Sequence, residues 1–279
     1  MSIRPIVQLA ALFACASASA QASLPVPTLQ VVDHRQVEIL SAGAPAAAGT
    51  VVFENGLRET LDTWTPVLKA VAPRTHVFAY NRPGYGRSDA VDGAREGAVV
   101  VEELRHTLRA AGLQPPYVLV GHSMGGLYMQ AYARTHPEEV VGLVLVDSVY
   151  PGVIKRTQDF PLYARIAKRL FFSATANREI DGIHPTGDVV FALPAHDEIP
   201  MIQLFNVPTS AGAVAVDFGT VDEDPSVRQR VAALYPRARK LIVDSDHRIQ
   251  EANPEIVAKA IDDVMQQAAA PRREAMAQR

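Results

Sequence analysis

The chain has 279 residues, of which 48% are hydrophobic and 20% charged, and its formal net charge at pH 7 is −3. This length and apolar content suit one large domain with a substantial core. The net charge is slightly negative, so the chain lacks the excess of basic residues that is typical of nucleic-acid-binding proteins. We therefore expect no nucleic-acid partner.

The N-terminus has the three parts of a signal peptide. Arg4 supplies a positive charge, residues 6–14 form a short apolar run, and Ala18-Ser19-Ala20 has the A-x-A form of a cleavage site. The apolar run is too short for a retained membrane span. We therefore expect residues 1–20 to direct export, to the periplasm or the medium, and residues 24–279 to form the domain.

A second interpretation of the N-terminus stays open. Leu12-Phe13-Ala14-Cys15 partly resembles a lipobox, which would make the protein a lipoprotein anchored through Cys15. Cys15 is the only cysteine of the chain, so cleavage after Ala20 would leave a domain without any disulfide.

Apolar runs and turn residues predict the order of strands and helices. Predicted strands lie at 29–40 (an antiparallel edge hairpin), 50–53, 75–80, 117–120, 140–146, 199–207 and 240–244. Predicted helices lie at 59–72, 96–111, 127–133, 224–234 and 254 to about 267. Continuous apolar strands that alternate with helices are typical of a doubly wound, mostly parallel α/β sheet with helices on both faces. Functional residues of such a sheet lie at the carboxyl ends of its strands.

The most informative motif is Gly121-His122-Ser123-Met124-Gly125, which stands between a predicted strand and a predicted helix. Strand, then G-x-S-x-G, then helix is the context of a nucleophile elbow. The turn is sharp, so Ser123 takes a strained backbone conformation, and glycines flank it because side chains there would collide with neighbouring backbone. This context predicts that Ser123 is a catalytic nucleophile.

Three further segments resemble the same family as this motif, the α/β-hydrolase family. They are Asn81-Arg82-Pro83-Gly84-Tyr85-Gly86-Arg87-Ser88, Phe53-Glu54-Asn55-Gly56-Leu57 and Asp246-His247-Arg248-Ile249-Gln250. The resemblance covers roughly residues 30–150 and 236–268. It implies the α/β-hydrolase fold, a serine esterase-like activity, and an inserted helical cap at about 151–199 that covers the site and selects substrate.

The resemblance also assigns the partners of Ser123. His247 follows the last predicted strand, where the family places its general base, whereas His122 is interpreted as structural. Asp147 directly follows the predicted strand 140–146 and gives the order Ser, acid, His that this fold uses. Most members carry the acid one strand later, so Asp217 stays open as the alternative to Asp147.

The oxyanion hole would consist of two backbone N–H groups, those of Met124 and Leu57. We expect neither a metal nor a cofactor, because the chain has no H-E-x-x-H motif, no Cys/His cluster and no complete dinucleotide fingerprint.

Residues 160–172 predict an amphipathic helix with a basic face inside the expected cap. The position of this helix favours a role in covering the site, and contact with a membrane surface is the alternative.

These observations together predict an exported serine hydrolase that cleaves a carboxylic ester of a small-molecule acyl substrate through Ser123, His247 and Asp147. Amide, peptide or lactone hydrolysis would use the same site and stays open. So does a ligand-binding protein that keeps the fold without turnover.

Overall fold

The structure is a computed structural model that describes residues 23–196, 198–207 and 224–277, with the backbone alone at Arg228 and at 271–277. The predicted signal peptide, the lipobox cysteine Cys15 and the alternative acid Asp217 lie outside the described residues.

An eight-stranded sheet forms the centre of the domain. The strands are β1 (Thr28–Val32), β2 (Arg35–Ala42), β3 (Thr50–Glu54), β4 (Val77–Tyr80), β5 (Tyr117–His122), β6 (Val140–Val146), β7 (Met201–Asn206) and β8 (Arg239–Val243). Their order across the sheet is β1-β2-β4-β3-β5-β6-β7-β8. The strands β3 to β8 run parallel, and β1 and β2 add an antiparallel edge. The predicted mostly parallel α/β sheet is therefore confirmed.

Nine α-helices accompany the strands in the described residues. They are α1 (Thr65–Val71), α2 (Gly97–Ala110), α3 (Met124–Thr135), α4 (Leu162–Phe171), α5 (Ala174–Asp181), α6 (Ile183–Ala192), α7 (Pro225–Leu234), α8 (Ile249–Ala252) and α9 (Pro254–Ala277). Side chains of α2 and α3 join the core on one face of the sheet. Side chains of α1, α8 and α9 join the core on the other face. Strands with cores on both faces need continuous apolar sequence, which β5 and β6 have.

Three predicted helices differ from the structure in type or extent, and one of them, α3 (Met124–Thr135), is longer at both ends than the predicted 127–133. Residues 59–72 form a 3-10 turn at Leu61–Trp64 before α1, and Pro66 stands at the start of α1, where its missing N–H costs nothing. The prediction that the last helix ends near Gln267 is wrong, because α9 continues to Ala277. Three alanines at 268–270 carry strong helix propensity past the predicted end.

The segment between β6 and β7 contains α4, α5 and α6, within the range expected to form a cap. Ile180 of α5 and Ile183 of α6 line a cavity together with Ser123, which directly follows β5. The helical insertion therefore lies next to the carboxyl edge of the sheet.

Candidate active site

The turn at Ser123 has the geometry of a nucleophile elbow. Its φ of 50° and ψ of −120° are unusual for a residue with a side chain. A Cβ at Gly125 would lie 2.4 Å from the Glu54 carbonyl oxygen, and one at Gly121 would lie 2.7 Å from the Gly125 carbonyl oxygen. Only glycines fit at these two positions. Because they lack a side chain, the strand, the turn and the helix can lie in close contact.

Backbone hydrogen bonds hold the strained turn. The Ser123 N–H donates to the Val146 carbonyl at 3.1 Å, and the Val149 N–H donates to the Ser123 carbonyl at 2.9 Å. Ser123 immediately precedes α3, whose first residue is Met124. The first N–H groups of a helix lack intrahelical acceptors and lie at its positive end, so they suit a developing oxyanion.

His247 and Asp147 are in direct contact. His247 Nδ1 lies 2.6 Å from Asp147 Oδ2. The Asp147 N–H donates to the Leu204 carbonyl at 2.8 Å, and the Asn206 N–H donates to Asp147 Oδ1 at 3.2 Å. The Asn206 side-chain amide, with its nitrogen towards Asp147, donates to both carboxylate oxygens at 3.0 Å. The neighbouring strand β7 therefore orients the carboxylate that receives the imidazole.

The electrostatics of this pair favour a charged imidazole. Burial lowers the pKa of His247, but the hydrogen bond and the charge of Asp147 raise it by more, and Glu59 adds to them. The pKa of His247 therefore lies above its ordinary value of 6.5. An imidazole of this kind readily accepts a proton.

Ser123 and His247 line one cavity of about 300 Å³. The polar part of its wall also includes Glu59 and Arg248. The remaining lining residues are apolar: Leu57, Met124, Val149, Ile154, Phe160, Ile180 and Ile183. The volume is at the lower end of small-molecule sites, which span about 300–1,000 Å³. Leu57 and Met124, the two predicted oxyanion residues, thus lie at the same cavity as the predicted nucleophile and base.

A buried arginine fixes the loop that precedes Leu57. Arg82 has no exposed surface, and its Nη1 and Nη2 donate to the carbonyls of Asn55 and Gly56 at 2.6 and 2.9 Å. It also pairs with Glu54 at 2.6 Å and with Glu179 of α5 at 2.8 Å. One guanidinium therefore connects the loop before Leu57 to the helical insertion.

The environment of this arginine is charged but enclosed. Glu54 is fully buried and accepts from Tyr80 Oη at 2.5 Å, and burial raises its pKa. Tyr85 Oη donates to Glu179 at 2.8 Å. Buried charges of this kind are tolerated only when paired and hydrogen-bonded, so the cluster holds one arrangement of the loop.

The opposite side of the same loop contacts Glu59. The Gly56 N–H donates to Glu59 Oε2 at 2.9 Å, and His122 Nδ1 lies 2.8 Å from the same oxygen. His122 is fully buried and is part of this framework, which agrees with its structural interpretation.

Four of the residues that hold the site have no role predicted from the sequence: Glu59, Arg82, Glu179 and Asn206. One signal was available, because Glu54, the partner of Arg82, is an acidic residue directly after the apolar predicted strand 50–53. The other pairs join residues distant in sequence, which no local pattern reveals.

Among the described residues, one group has the spacing of metal ligands: His136, Glu138 and Glu139. His136 Nε2 already contacts Glu102 at 2.8 Å, and Glu139 accepts from Arg105 at 2.6 Å. These contacts account for the group. In the same part of the chain, no helix combines the length and the apolarity needed to cross a bilayer.

The sequence profile described as Alpha/beta hydrolase family matches residues 51–260. The chain therefore belongs to the α/β hydrolase family. "Uncharacterized protein YqjL" of Bacillus subtilis is 27% identical over 220 residues, which cover 77% of this chain and 83% of that protein. Several other curated relatives match over a shorter stretch, and the chain spans only 15% to 31% of their length.

Solved structures agree with the family. A thermophilic esterase from Thermogutta terrifontis superposes with a TM-score of 0.66 at 16% identity, over 88% of this chain and all of that one. The epoxide hydrolase CorEH superposes with a TM-score of 0.65 at 15% identity, over 86% and 98%. At these identities the similarity establishes the fold, and the family supports hydrolytic activity.

Proposed function

We propose that the protein is a serine hydrolase that cleaves carboxylic esters, with Ser123 as nucleophile, His247 as general base and Asp147 as its orienting acid. The observation that carries the proposal is the 2.6 Å contact between His247 Nδ1 and Asp147 Oδ2 at a cavity that Ser123 also lines. A nucleophile after β5, its orienting acid after β6 and a base after β8 together form the arrangement that activates a serine hydroxyl.

The first chemical step follows from these contacts. Nδ1–H of His247 donates a hydrogen bond to the Asp147 carboxylate, so Nε2 carries the lone pair that takes the Ser123 proton. Ser123 Oγ forms a bond to the ester carbonyl carbon, and the N–H groups of Met124 and Leu57 stabilise the negative oxygen. The imidazolium then protonates the leaving alcohol as the C–O bond breaks.

The second step hydrolyses the acyl-enzyme. His247 takes a proton from water, the resulting hydroxide attacks the acyl carbon, and the proton returns to Ser123 as its C–O bond breaks. Loss of the acid product restores the starting site.

The lining of the cavity supports an apolar acyl or alcohol group in the substrate. Its largest lining side chain, Phe160, is 4% exposed and belongs to the insertion between β6 and β7. A neutral ester has no charge to desolvate against this lining, and the solved esterase of the same fold is consistent with this class. Amides and lactones react through the same acyl-enzyme intermediate.

A fluorophosphonate probe and a substrate panel test the proposal. We expect the probe to label the wild-type protein and Ser148→Ala but not Ser123→Ala, since Ser148 bonds to Gln130 instead of the candidate base. Esters should be hydrolysed faster than the matched amide or lactone. Full turnover by Ser123→Ala would exclude the nucleophile, and preferential cleavage of the amide or of the cyclic ester would exclude open-chain esters as the preferred substrate class.

We also propose that the protein is exported after cleavage near Ala20. The charged, apolar and A-x-A regions of residues 1–20 support this proposal. N-terminal sequencing of the protein recovered outside the cytoplasm should start at Gln21 or Ser23. A lipid-modified N-terminal Cys15 would establish a lipoprotein instead.

A further inference from the structure

The helix α4 turns its large apolar side chains towards solvent. Ala164 is fully buried and Lys168 is 8% exposed, so the side of the helix that carries these two residues packs against the domain. Lys168 Nζ pairs with Asp181 of α5 at 2.9 Å. By contrast, four bulky residues are 50% to 73% exposed: Leu162, Ile166, Leu170 and Phe171.

This exposure of the apolar side chains departs from the usual orientation of a helix on a globular domain. Amphipathic helices normally bury the apolar stripe and expose the polar one. Leu162, Ile166 and Leu170 are spaced by four residues, so they form one continuous stripe along α4. A contiguous exposed apolar stripe marks an interaction surface more often than scattered single residues do.

The charges beside the stripe are positive. Arg165 and Arg169 lie on α4 and are exposed, and Lys155 and Arg156 are exposed in the segment before it. The sequence of α4 contains no acidic residue. The carboxylate of Asp181 pairs with Lys168. In the turn before α4, Asp159 is an exposed acidic residue.

We propose that α4 docks onto the surface of a bilayer that contains anionic phospholipid. The apolar stripe would enter the boundary between headgroups and acyl chains, and Arg165 and Arg169 would contact the lipid phosphates. A helix with one strongly apolar face and basic flanks has the composition of an interfacial helix, whose apolar face enters the bilayer by about 5–10 Å.

The size of the surface favours a bilayer over a second copy of the chain. A ten-residue helix is about 15 Å long. Stable protein interfaces need about 800 Å² and 20–30 residues on each partner. A single helix offers much less, whereas a bilayer requires only a stripe of apolar side chains and complementary charge.

The docking surface adjoins the candidate active site. Phe160 lines the cavity, and α4 begins two residues later. Ile180 and Ile183, which also line the cavity, flank the junction of α5 and α6. Docking through α4 would therefore hold the cavity close to the bilayer. The docking itself does not depend on the proposed hydrolase activity.

Vesicle flotation of the full protein tests the proposal. We expect binding to vesicles of phosphatidylcholine with phosphatidylglycerol, weaker binding to phosphatidylcholine alone, and equal binding by Ser123→Ala. Ile166→Ser should weaken partitioning about tenfold. Arg165→Gln and Arg169→Gln should each weaken it about fivefold at low salt. The matched controls, Ile242→Ser on β8 and Arg109→Gln on α2, change exposed residues outside the stripe and should bind like the wild type.

A second measurement locates the contact on α4 and distinguishes a bilayer from other partners of this surface. In a Cys15→Ser background, the emission of an environment-sensitive dye on Leu170→Cys should shift to the blue with anionic vesicles, and that of the dye on Ile242→Cys should not.

Three outcomes would contradict docking to a bilayer. Vesicle binding that is absent, or equal in Ile166→Ser and the wild type, would overturn the proposal. So would a dimer that Ile166→Ser dissociates without vesicles. A large fall in melting temperature in Ile166→Ser would also overturn it, because the stripe would then be covered within the folded chain.

Discussion

The Nε2 of His122 lies 2.8 Å from the backbone carbonyl oxygen of His247. A carbonyl oxygen only accepts, so Nε2 of His122 carries a proton and donates it. The other ring nitrogen contacts Glu59 Oε2 at 2.8 Å. The residue next to the candidate nucleophile therefore holds the main chain of the candidate base, although its own side chain is fully buried.

Glu59 is ionised in this arrangement. Burial raises its pKa, but the hydrogen bond and the charge of His122 outweigh it, helped by the N–H of Gly56. The pKa of Glu59 therefore lies below its ordinary value of 4.5. An ionised Glu59 is a strong hydrogen-bond acceptor, and its Oε2 lies 2.8 Å from Nδ1 of His122 and 2.9 Å from the N–H of Gly56.

Glu59→Gln should reduce kcat with little change in KM. The variant removes the charge that holds His122, which then no longer fixes the carbonyl of His247. Misplacement of a general base by about 1 Å costs up to roughly 100-fold in rate. Glu102→Gln is the matched control, since Glu102 contacts His136 at 2.8 Å but is 46% exposed on its side chain. Steady-state kinetics of both variants should show the loss in Glu59→Gln alone.

The same substitution should change the acid stability. Because the pKa of Glu59 is lowered by folding, its stabilising contribution is present above about pH 4.5 and disappears as the pH falls through the folded-state pKa. Denaturation curves at pH 7 and pH 3.5 should therefore differ more for the wild type than for Glu59→Gln. Equal pH dependence in the two proteins would contradict an ionised Glu59.

Arg82→Met should destabilise the domain strongly. It leaves the carboxylates of Glu54 and Glu179 buried without their cation, a loss of about 3–5 kcal/mol and a fall in melting temperature of roughly 10 °C. Arg74→Met is the control, because Arg74 pairs with Asp262 at the surface and contributes at most about 1 kcal/mol. Similar melting curves for both variants would show that the buried cluster contributes no more than a surface pair.

Phe160→Ala should change the preference for acyl chain length, and Phe171→Ala should not. Phe160 lines the cavity, so its removal opens space for longer chains, whereas Phe171 is 73% exposed. We expect the ratio of kcat/KM for a long over a short water-soluble ester to rise about tenfold. Truncation of a buried Phe also costs stability, so melting curves and the milder Phe160→Leu accompany the rates. An unchanged ratio in both Phe160 variants would show that this wall does not select the acyl chain.

The sheet was predictable because its signals are local. The strand at Val140–Val146 has the predicted bounds, since seven consecutive apolar residues specify a buried strand without help from the rest of the chain. The elbow at Ser123 was predictable for the same reason. A strand, two glycines and a helix within a few residues leave one backbone path for the turn.

The parts that were not predictable depend on long-range pairing. Arg82 and Glu179 are 97 positions apart, and Glu59 and His122 are 63 apart, so no periodicity relates them. The orientation of α4 has a different cause. Amphipathic periodicity reveals that a helix has an apolar stripe, but only the packing of Ala164 and Lys168 decides that the stripe faces solvent.

Asp147→Asn should lower both the rate and the pH at which activity appears. His247 acts as a base in its neutral form, so kcat/KM should rise with pH through a midpoint above about 6.5 in the wild type. Asparagine removes the charge and the carboxylate acceptor that raise the pKa of His247, so the midpoint should move down. The wrong hydrogen-bond partner should also reduce kcat by about 10³–10⁴-fold, while the near-isosteric change leaves the melting curve close to that of the wild type.

Asp217→Asn is the control and should keep both the rate and the midpoint of the wild type. If Asp217→Asn instead loses its activity and Asp147→Asn works at nearly the wild-type rate, the acid of this enzyme is Asp217.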